Sequence, residues 1–381
     1  MIYLDNAATS FPKPAAVYEA MQGFLVNIGA SHGRSTHRLA VQASRIVFQT
    51  REKIAELFNI SDSSRIIFTS NATESINLAL FGLLKNGDKV LATSMEHNAV
   101  MRPLRYLQKQ RSIEISIVKC DPEGNLALPE FEKALKQGIK VVVINHGSNI
   151  IGTIFPLGEL IMLIKKYGAL VLVDAAQTAG ACRIDVEKEK IDLLAFSGHK
   201  SLFGPQGTGG LYIREGLDVK PLKYGGTGSN SESDEQPDFL PDKYESGTLN
   251  SPGIAGLGAG VSYVLQQGID NIFQHGVNLT RRLLDSFREI KKLRIYGPKR
   301  PEQTLPMVSI NIEGLDSADV ARVLNDEFDI YTRIGLHCAP LAHRTIGTFP
   351  KGTLRISFGY FNTDKDVDNV IKAFRKILKQ K

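Results

Sequence analysis

Cysteine is scarce in this 381-residue chain: Cys120, Cys182 and Cys338 are the only three, widely spaced. So sparse and odd a set argues against a disulfide framework and against paired-cysteine metal ligands, and it fits a reducing cytoplasm. No stretch reaches 18 uninterrupted apolar residues, so no membrane span is expected. The opening MIYLDNAATS has neither a basic region nor an apolar one behind it, so no secretory leader is expected. Charge is not lopsided either. The formal net charge is +6, and apart from the basic tail 375–381 the cations are scattered, which argues against a nucleic-acid stripe. No internal repeat is present. The length suits two or three domains.

From about residue 65, short apolar runs alternate with longer amphipathic segments. Strands are predicted at 65–69, 89–93, 114–118, 140–145, 169–173, 192–196 and 209–213. Helices are predicted up to residue 84, from 98, near 129–136 and at 157–166. Such alternation implies an α/β fold whose mostly parallel sheet is covered on both faces. Residues 225–247 break the pattern, being rich in Gly, Ser, Pro and acid, and are expected to form a loop beside a site or an interface. Helices are then predicted at 251–267 and 273–293. A smaller α+β region follows, with strands at 307–312 and 352–358 and a closing helix at 364–378. The expected division is an N-terminal arm 1–15, a large domain 16–260 and a small C-terminal domain 261–381.

Ligands of open α/β sheets sit beyond the carboxyl ends of the strands. Polar groups concentrate there in this chain. Ser70-Asn71-Ala72-Thr73 follows the first strand, Glu96-His97 comes soon after the second, and His146 to Asn149 follow VVVIN. Asp174 to Gln177 follow ALVLV, and Ser197-Gly198-His199-Lys200 follow DLLAF. Each has an ordinary explanation taken singly: Asn71 or Thr73 as a helix cap, His97 as a satisfied histidine, Asp174 as a paired or capping acid. Together they point to one site. The chemistry they suggest is anion binding at the helix start 71–73, with Ser197 and His199 as further donors, beside an amine nucleophile in Lys200. An acid such as Asp174 could keep a pyridine nitrogen protonated, which suits a pyridoxal 5′-phosphate ring.

The motifs YLDNAAT (3–9), NATESINL (71–78), MEHNA (95–99), SNIIGT (148–153), VDAAQ (173–177) and SGHK (197–200) resemble the class V aminotransferase family. ESGTLN (245–250), RIGLHCAP (333–340) and LRISFGYFNT (354–363) narrow the resemblance to cysteine desulfurases and selenocysteine lyases of the second type. The resemblance runs in order along nearly the whole chain. It implies a pyridoxal-phosphate-dependent transferase of fold type I, with a seven-stranded sheet in the large domain, a smaller C-terminal domain and a homodimer.

The same resemblance assigns roles. Lys200 would hold the cofactor as a Schiff base and move the Cα proton. Asp174 would face the ring nitrogen, His97 would stack on the ring and Gln177 would bond the ring oxygen. Ala72, Thr73, Ser197 and His199 would hold the phosphate, with Thr248 reaching across from a second subunit. Arg355, helped by Asn149, would clamp the substrate carboxylate, with His37 near the substrate. Cys338 would take sulfur from L-cysteine as a persulfide and pass it to an acceptor protein, its thiolate favoured by His337 or by an acceptor on the substrate. The alternatives are a selenocysteine lyase with the same residues and an aminotransferase in which Cys338 is incidental. The chain departs from the pattern at Ile334 and Leu336 in the cysteine loop, and at Ala72, where a hydroxyl is common.

Overall fold

The computed structural model describes residues 1–33 and 35–379; Arg34 and the end of the basic tail, Gln380 and Lys381, lie outside the described residues. The expected seven-stranded sheet is present. Across it lie Ile66–Thr69, Gly209–Ile213, Leu193–Ser197, Leu170–Asp174, Val141–Asn145, Lys89–Thr93 and Glu114–Val118. Only Gly209–Ile213 runs against its neighbours. The central strands are apolar on both sides because each feeds two cores. Val141 and Val143 join the core under the helices Ala72–Leu83 and Asn98–Arg111. Val142 and Ile144 join the opposite core with Phe131, Leu160 and Ile161.

Two helices, Ala15–Asn27 and Arg38–Phe58, precede the sheet and pack against Ser251–Gln267. Strand–helix alternation could not reveal them, because no strand separates them. The second has a helical apolar stripe (Ala40, Ala43, Val47, Ile54, Phe58) and ends at Asn59 in the left-handed conformation, φ 52.

The small domain holds an antiparallel sheet ordered Arg333–Gly335, Thr353–Ser357, Met307–Ile312, Leu293–Tyr296. The helix expected at 273–293 instead spans Ile269–Arg288. The expected last turn gives way to the strand Leu293–Tyr296, which pairs with Met307–Ile312. Residue 260 falls inside the unbroken helix Ser251–Gln267. That helix ends at Gly268, whose φ of 79 separates it from the next. The N-terminal arm starts in the small domain: Ile2–Tyr3 pairs in parallel with Ile330–Tyr331, and Ile2 and Leu4 join the small-domain core. Residues 225–247 form a loop without helix or strand. Gln236 fastens it through Gly225 N–H and the carbonyls of Asp242 and Lys243. Among the described residues no helix is long and apolar enough to cross a membrane.

Candidate active site

A cavity of about 300 Å³ opens at the carboxyl ends of the large-domain strands, and the small domain closes its other side. Asn145 and Asp174, register partners at adjacent strand ends, form part of its lining. Ser197 and Lys200 come from the next strand and its loop, and Arg333, Cys338 and Arg355 from the small domain. Of the residues in the strand-end pattern, Asn71, Thr73, His97, Asn149, Asp174, Gln177, Ser197, His199 and Lys200 line this one space, while Ser70, Glu96, His146 and Ser148 do not.

The backbone that carries Lys200 is clamped by the N-terminal arm. The His199 carbonyl accepts from Ser10 N–H (3.1 Å), Thr9 Oγ1 (3.0 Å) and Lys13 Nζ (2.7 Å). Ser10 Oγ donates to the Lys200 carbonyl at 2.8 Å. On the far side a Cβ at Gly260 would collide with the Leu202 carbonyl, so only glycine lets that helix lie so close to the lysine loop. Burial pushes the Lys200 amine down to about 8, while Asp174 pulls it the other way. A lysine so displaced is neutral often enough near neutral pH to act as a nucleophile or base.

Asp174 is 2% exposed. It accepts from Ala176 N–H at 2.9 Å, and among the described residues it has no ion-pair partner. Burial pushes its pKa up. A buried carboxyl without a cation is costly, and a protonated ring nitrogen supplied by a ligand would relieve that cost. His97 is both cap and cavity wall: its Nδ1 accepts from Ala99 N–H at 3.0 Å at the start of helix Asn98–Arg111. That bond places the ring proton on Nε2. Burial, then the Lys200 charge, pushes His97 down to about 4, so its ring is neutral. Gln177 Nε2 donates to the Ala7 carbonyl at 2.9 Å, which leaves one amide N–H for a ligand.

Ala72 N–H is already taken at 3.1 Å by Ser197 Oγ, so Ser197 reaches the helix start through its oxygen. Asn71 Oδ1 caps Glu74 N–H at 3.0 Å. Thr73 and His199 share this lining. Burial, then Lys200 and Lys13, pushes His199 down to about 4. Among the described residues, three buried polar atoms on the cavity lining have no hydrogen-bond partner: His199 Nδ1, Asn149 Oδ1 and Arg355 Nε. Buried polar groups are seldom left unpaired. With Asp174, which no cation contacts directly, and the displaced Lys200, these orphans fit a ligand that carries an anion, a ring nitrogen and a carbonyl, as pyridoxal phosphate does.

On the substrate side, Arg355 is 1% exposed. Its Nη1 donates to the Asn149 carbonyl (2.7 Å) and its Nη2 to Asp5 Oδ1 (2.6 Å). Burial lowers its pKa and Asp5 raises it. Arg333 is its register partner on the neighbouring strand and lines the same cavity. Cys338 is exposed. His337 and Cys338 both take the left-handed conformation, φ 47 and 57, which costs a non-glycine residue about 1–2 kcal/mol. The expectation that His337 could favour the thiolate is corrected here. Its Nε2 lies 3.3 Å from the Arg333 carbonyl and its Nδ1 3.4 Å from His343 Nε2, so neither nitrogen is free for the thiol.

Two predicted site residues lie outside the cavity. Thr248 lines a separate groove with Ser70, Glu74 and Lys223. His37 is exposed and caps helix Arg38–Phe58, its Nδ1 accepting from Ala40 N–H at 3.2 Å. Asp5 and Arg333 went unread as site residues. Each stands inside a quoted motif, but the ion pair of Asp5 with Arg355 spans 350 positions and leaves no local signal.

A lysine, an acid and an anion-binding helix start at the strand ends of this sheet define the class: a pyridoxal-phosphate-dependent enzyme of fold type I. The class-V aminotransferase family model matches residues 2–370, and the chain belongs to that family. It is 37% identical to a probable cysteine desulfurase of Pyrococcus abyssi, over 100% of this chain and 94% of the relative. It is 35% identical to a probable cysteine desulfurase of Methanothermobacter thermautotrophicus, over 99% and 94%. Its fold matches the apo structure of a cysteine desulfurase from Thermococcus onnurineus NA1 with a TM-score of 0.94 at 34% identity, over 100% of this chain and 95% of that one. An S-sulfonic acid form of the cysteine desulfurase CsdA from Escherichia coli matches with a TM-score of 0.90 at 28% identity, over 99% and 94%.

Proposed function

We propose that this chain is a cysteine desulfurase, which moves sulfur from L-cysteine onto Cys338 and releases L-alanine. The observation that carries this reading is an exposed cysteine on the same cavity as a displaced lysine and a buried arginine. The names of its relatives agree with it.

Lys200 would hold the cofactor covalently, Asp174 would face its ring nitrogen and His97 its ring, and Thr73, Ser197 and His199 would hold its phosphate. When bound, pyridoxal phosphate supplies an electron sink for charge left at the substrate Cα. Arg355 would bind the substrate carboxylate through the guanidinium hydrogens not spent on Asn149 and Asp5, and the spare Nδ2 hydrogen of Asn149 would assist. Lys200 Nζ takes the Cα proton and returns a proton to the carbon skeleton. The Cys338 thiolate attacks the substrate sulfur. An S–S bond forms, the substrate Cβ–S bond breaks and its electron pair stays with carbon, where a proton completes the methyl group of alanine. Sulfur is oxidised to the persulfide level and carbon is reduced by the same two electrons.

The working unit in this reading is a homodimer in a reducing cytoplasm, with Thr248 reaching the phosphate of the second subunit. Exposed Leu25, Val26, Val41 and Phe48 on the two N-terminal helices offer an apolar contact surface. The persulfide would then pass to an acceptor protein. The test is sulfide and alanine production from L-cysteine by the purified holoenzyme. With a reductant present the two should form in equal amounts over many turnovers, and without one turnover should stall after the thiol is loaded. Alanine made without sulfide or persulfide would contradict the reading.

A further inference from the structure

The left-handed pair His337–Cys338 needs something outside itself to hold it. Its carbonyls are anchored: Asn149 Nδ2 donates to His337 O at 2.7 Å and Asn98 N–H to Cys338 O at 2.8 Å. Ala339 N–H closes the turn on Leu336 O at 2.8 Å. The only side chain of the pair that turns inward is His337, which is buried, and it stacks on the buried His343.

The hydrogen bonds along this stack have one direction. The Arg333 carbonyl can only accept, so His337 Nε2 carries the ring proton. The neutral ring then accepts at Nδ1, so His343 Nε2 must donate. His343 Nδ1 is left to accept from the Thr348 hydroxyl, at 2.6 Å. Each partner's chemistry forces the next, and every ring nitrogen is satisfied. A proton added to His337 would set its Nδ1 against the His343 Nε2 donor, and one added to His343 would force the Thr348 hydroxyl to turn and accept. Burial opposes such a charge as well, pushing His337 down to about 3 and His343 to about 4.

We propose that His343 is a positioning residue for Cys338: the chain from Thr348 through His343 to His337 is a strut that fixes the cysteine loop in its left-handed form, and it takes no proton from the thiol. The turnover readout rests on the desulfurase reading; the strut itself does not. His343→Ala removes the donor to His337. His343→Gln keeps an amide donor and a carbonyl acceptor, and Thr348→Val removes only the outermost donor.

The experiment compares these variants of the full-length holoenzyme at neutral pH by amide hydrogen exchange, cofactor absorbance, Cα-hydrogen exchange of L-alanine in D₂O and sulfide release from L-cysteine. In His343→Ala, exchange at Ala339 and Asn98 should rise about tenfold or more, because the loop opens locally. Sulfide release should fall about tenfold, since misplacing a reacting group by an ångström is costly. Absorbance and Cα exchange should hold. His343→Gln should recover most of the loss, and Thr348→Val should show the same split at smaller size. Unchanged amide exchange and sulfide release in His343→Ala would overturn the strut. So would loss of absorbance and Cα exchange in step with sulfide in both His343→Ala and Thr348→Val, which would mean general collapse. If the wild-type holoenzyme releases no sulfide while His343→Ala still loosens the loop, the strut stands and the desulfurase reading falls.

Discussion

Lys200 and Cys338 line one cavity, yet the backbone beneath them is held in different ways. Lys200 follows a buried strand inside the sheet, and residues from the N-terminal arm clamp its carbonyl and that of His199. Cys338 sits on a short exposed turn held left-handed by a few side chains from elsewhere. The first half is rigid because a whole sheet fixes it. The second depends on individual hydrogen bonds, so single substitutions should separate its chemistry from that of the first.

The largest expected effect is at Lys200. Lys200→Ala should cut turnover by about a thousandfold or more, because it removes both the covalent anchor and the proton carrier. Absorbance spectra and sulfide assays check this, and residual turnover near wild type would break the division of labour. Next comes Arg355→Lys. It should raise KM for cysteine about tenfold with a smaller change in kcat, because a point charge cannot replace the planar fork that spans Asn149 and Asp5. Steady-state kinetics decide; an equal fall in kcat would move Arg355 from binding to chemistry. Asp5→Asn should act in the same direction but more weakly, raising KM a few-fold as Arg355 loses its charged partner.

The smallest effect is on stability. In the cofactor-free protein the Lys200 amine sits near 8, below its unfolded value of 10.5. Between those values the unfolded chain binds more protons, so this lysine's destabilising contribution is full below about pH 8 and fades as pH rises towards 10.5. Lys200→Met should therefore be more stable than wild type at neutral pH, with the gap closing across that window. Denaturant melts at several pH values check the sign.

The same contrast explains how much the sequence revealed. The lysine half was legible because parallel buried strands read as apolar runs, and the polar residues after them fall at one edge by geometry. His97, Asp174, Ser197, His199 and Lys200 were all found that way and all line the cavity. The arm was harder to read. Asp5, Ser10 and Lys13 act across nearly 200 to 350 positions, and periodicity carries no trace of such pairing. The strut was hidden for a different reason. His337 and Cys338 hold positive φ without glycine, and the partners that impose it, His343 and Thr348, look like ordinary polar residues of a short helix and loop. The helix expected at 273–293 failed where propensity met tertiary pairing, since Leu293–Tyr296 finds a strand partner in Met307–Ile312.

The central claim is that cofactor chemistry and sulfur chemistry are separable in one cavity. Cys338→Ala in the holoenzyme tests it most directly, with Cα-hydrogen exchange of L-alanine in D₂O measured beside sulfide release from L-cysteine. The account predicts exchange close to the wild-type rate and sulfide release down about a hundredfold or more. Sulfide release at the wild-type rate, or loss of both activities together, would contradict it.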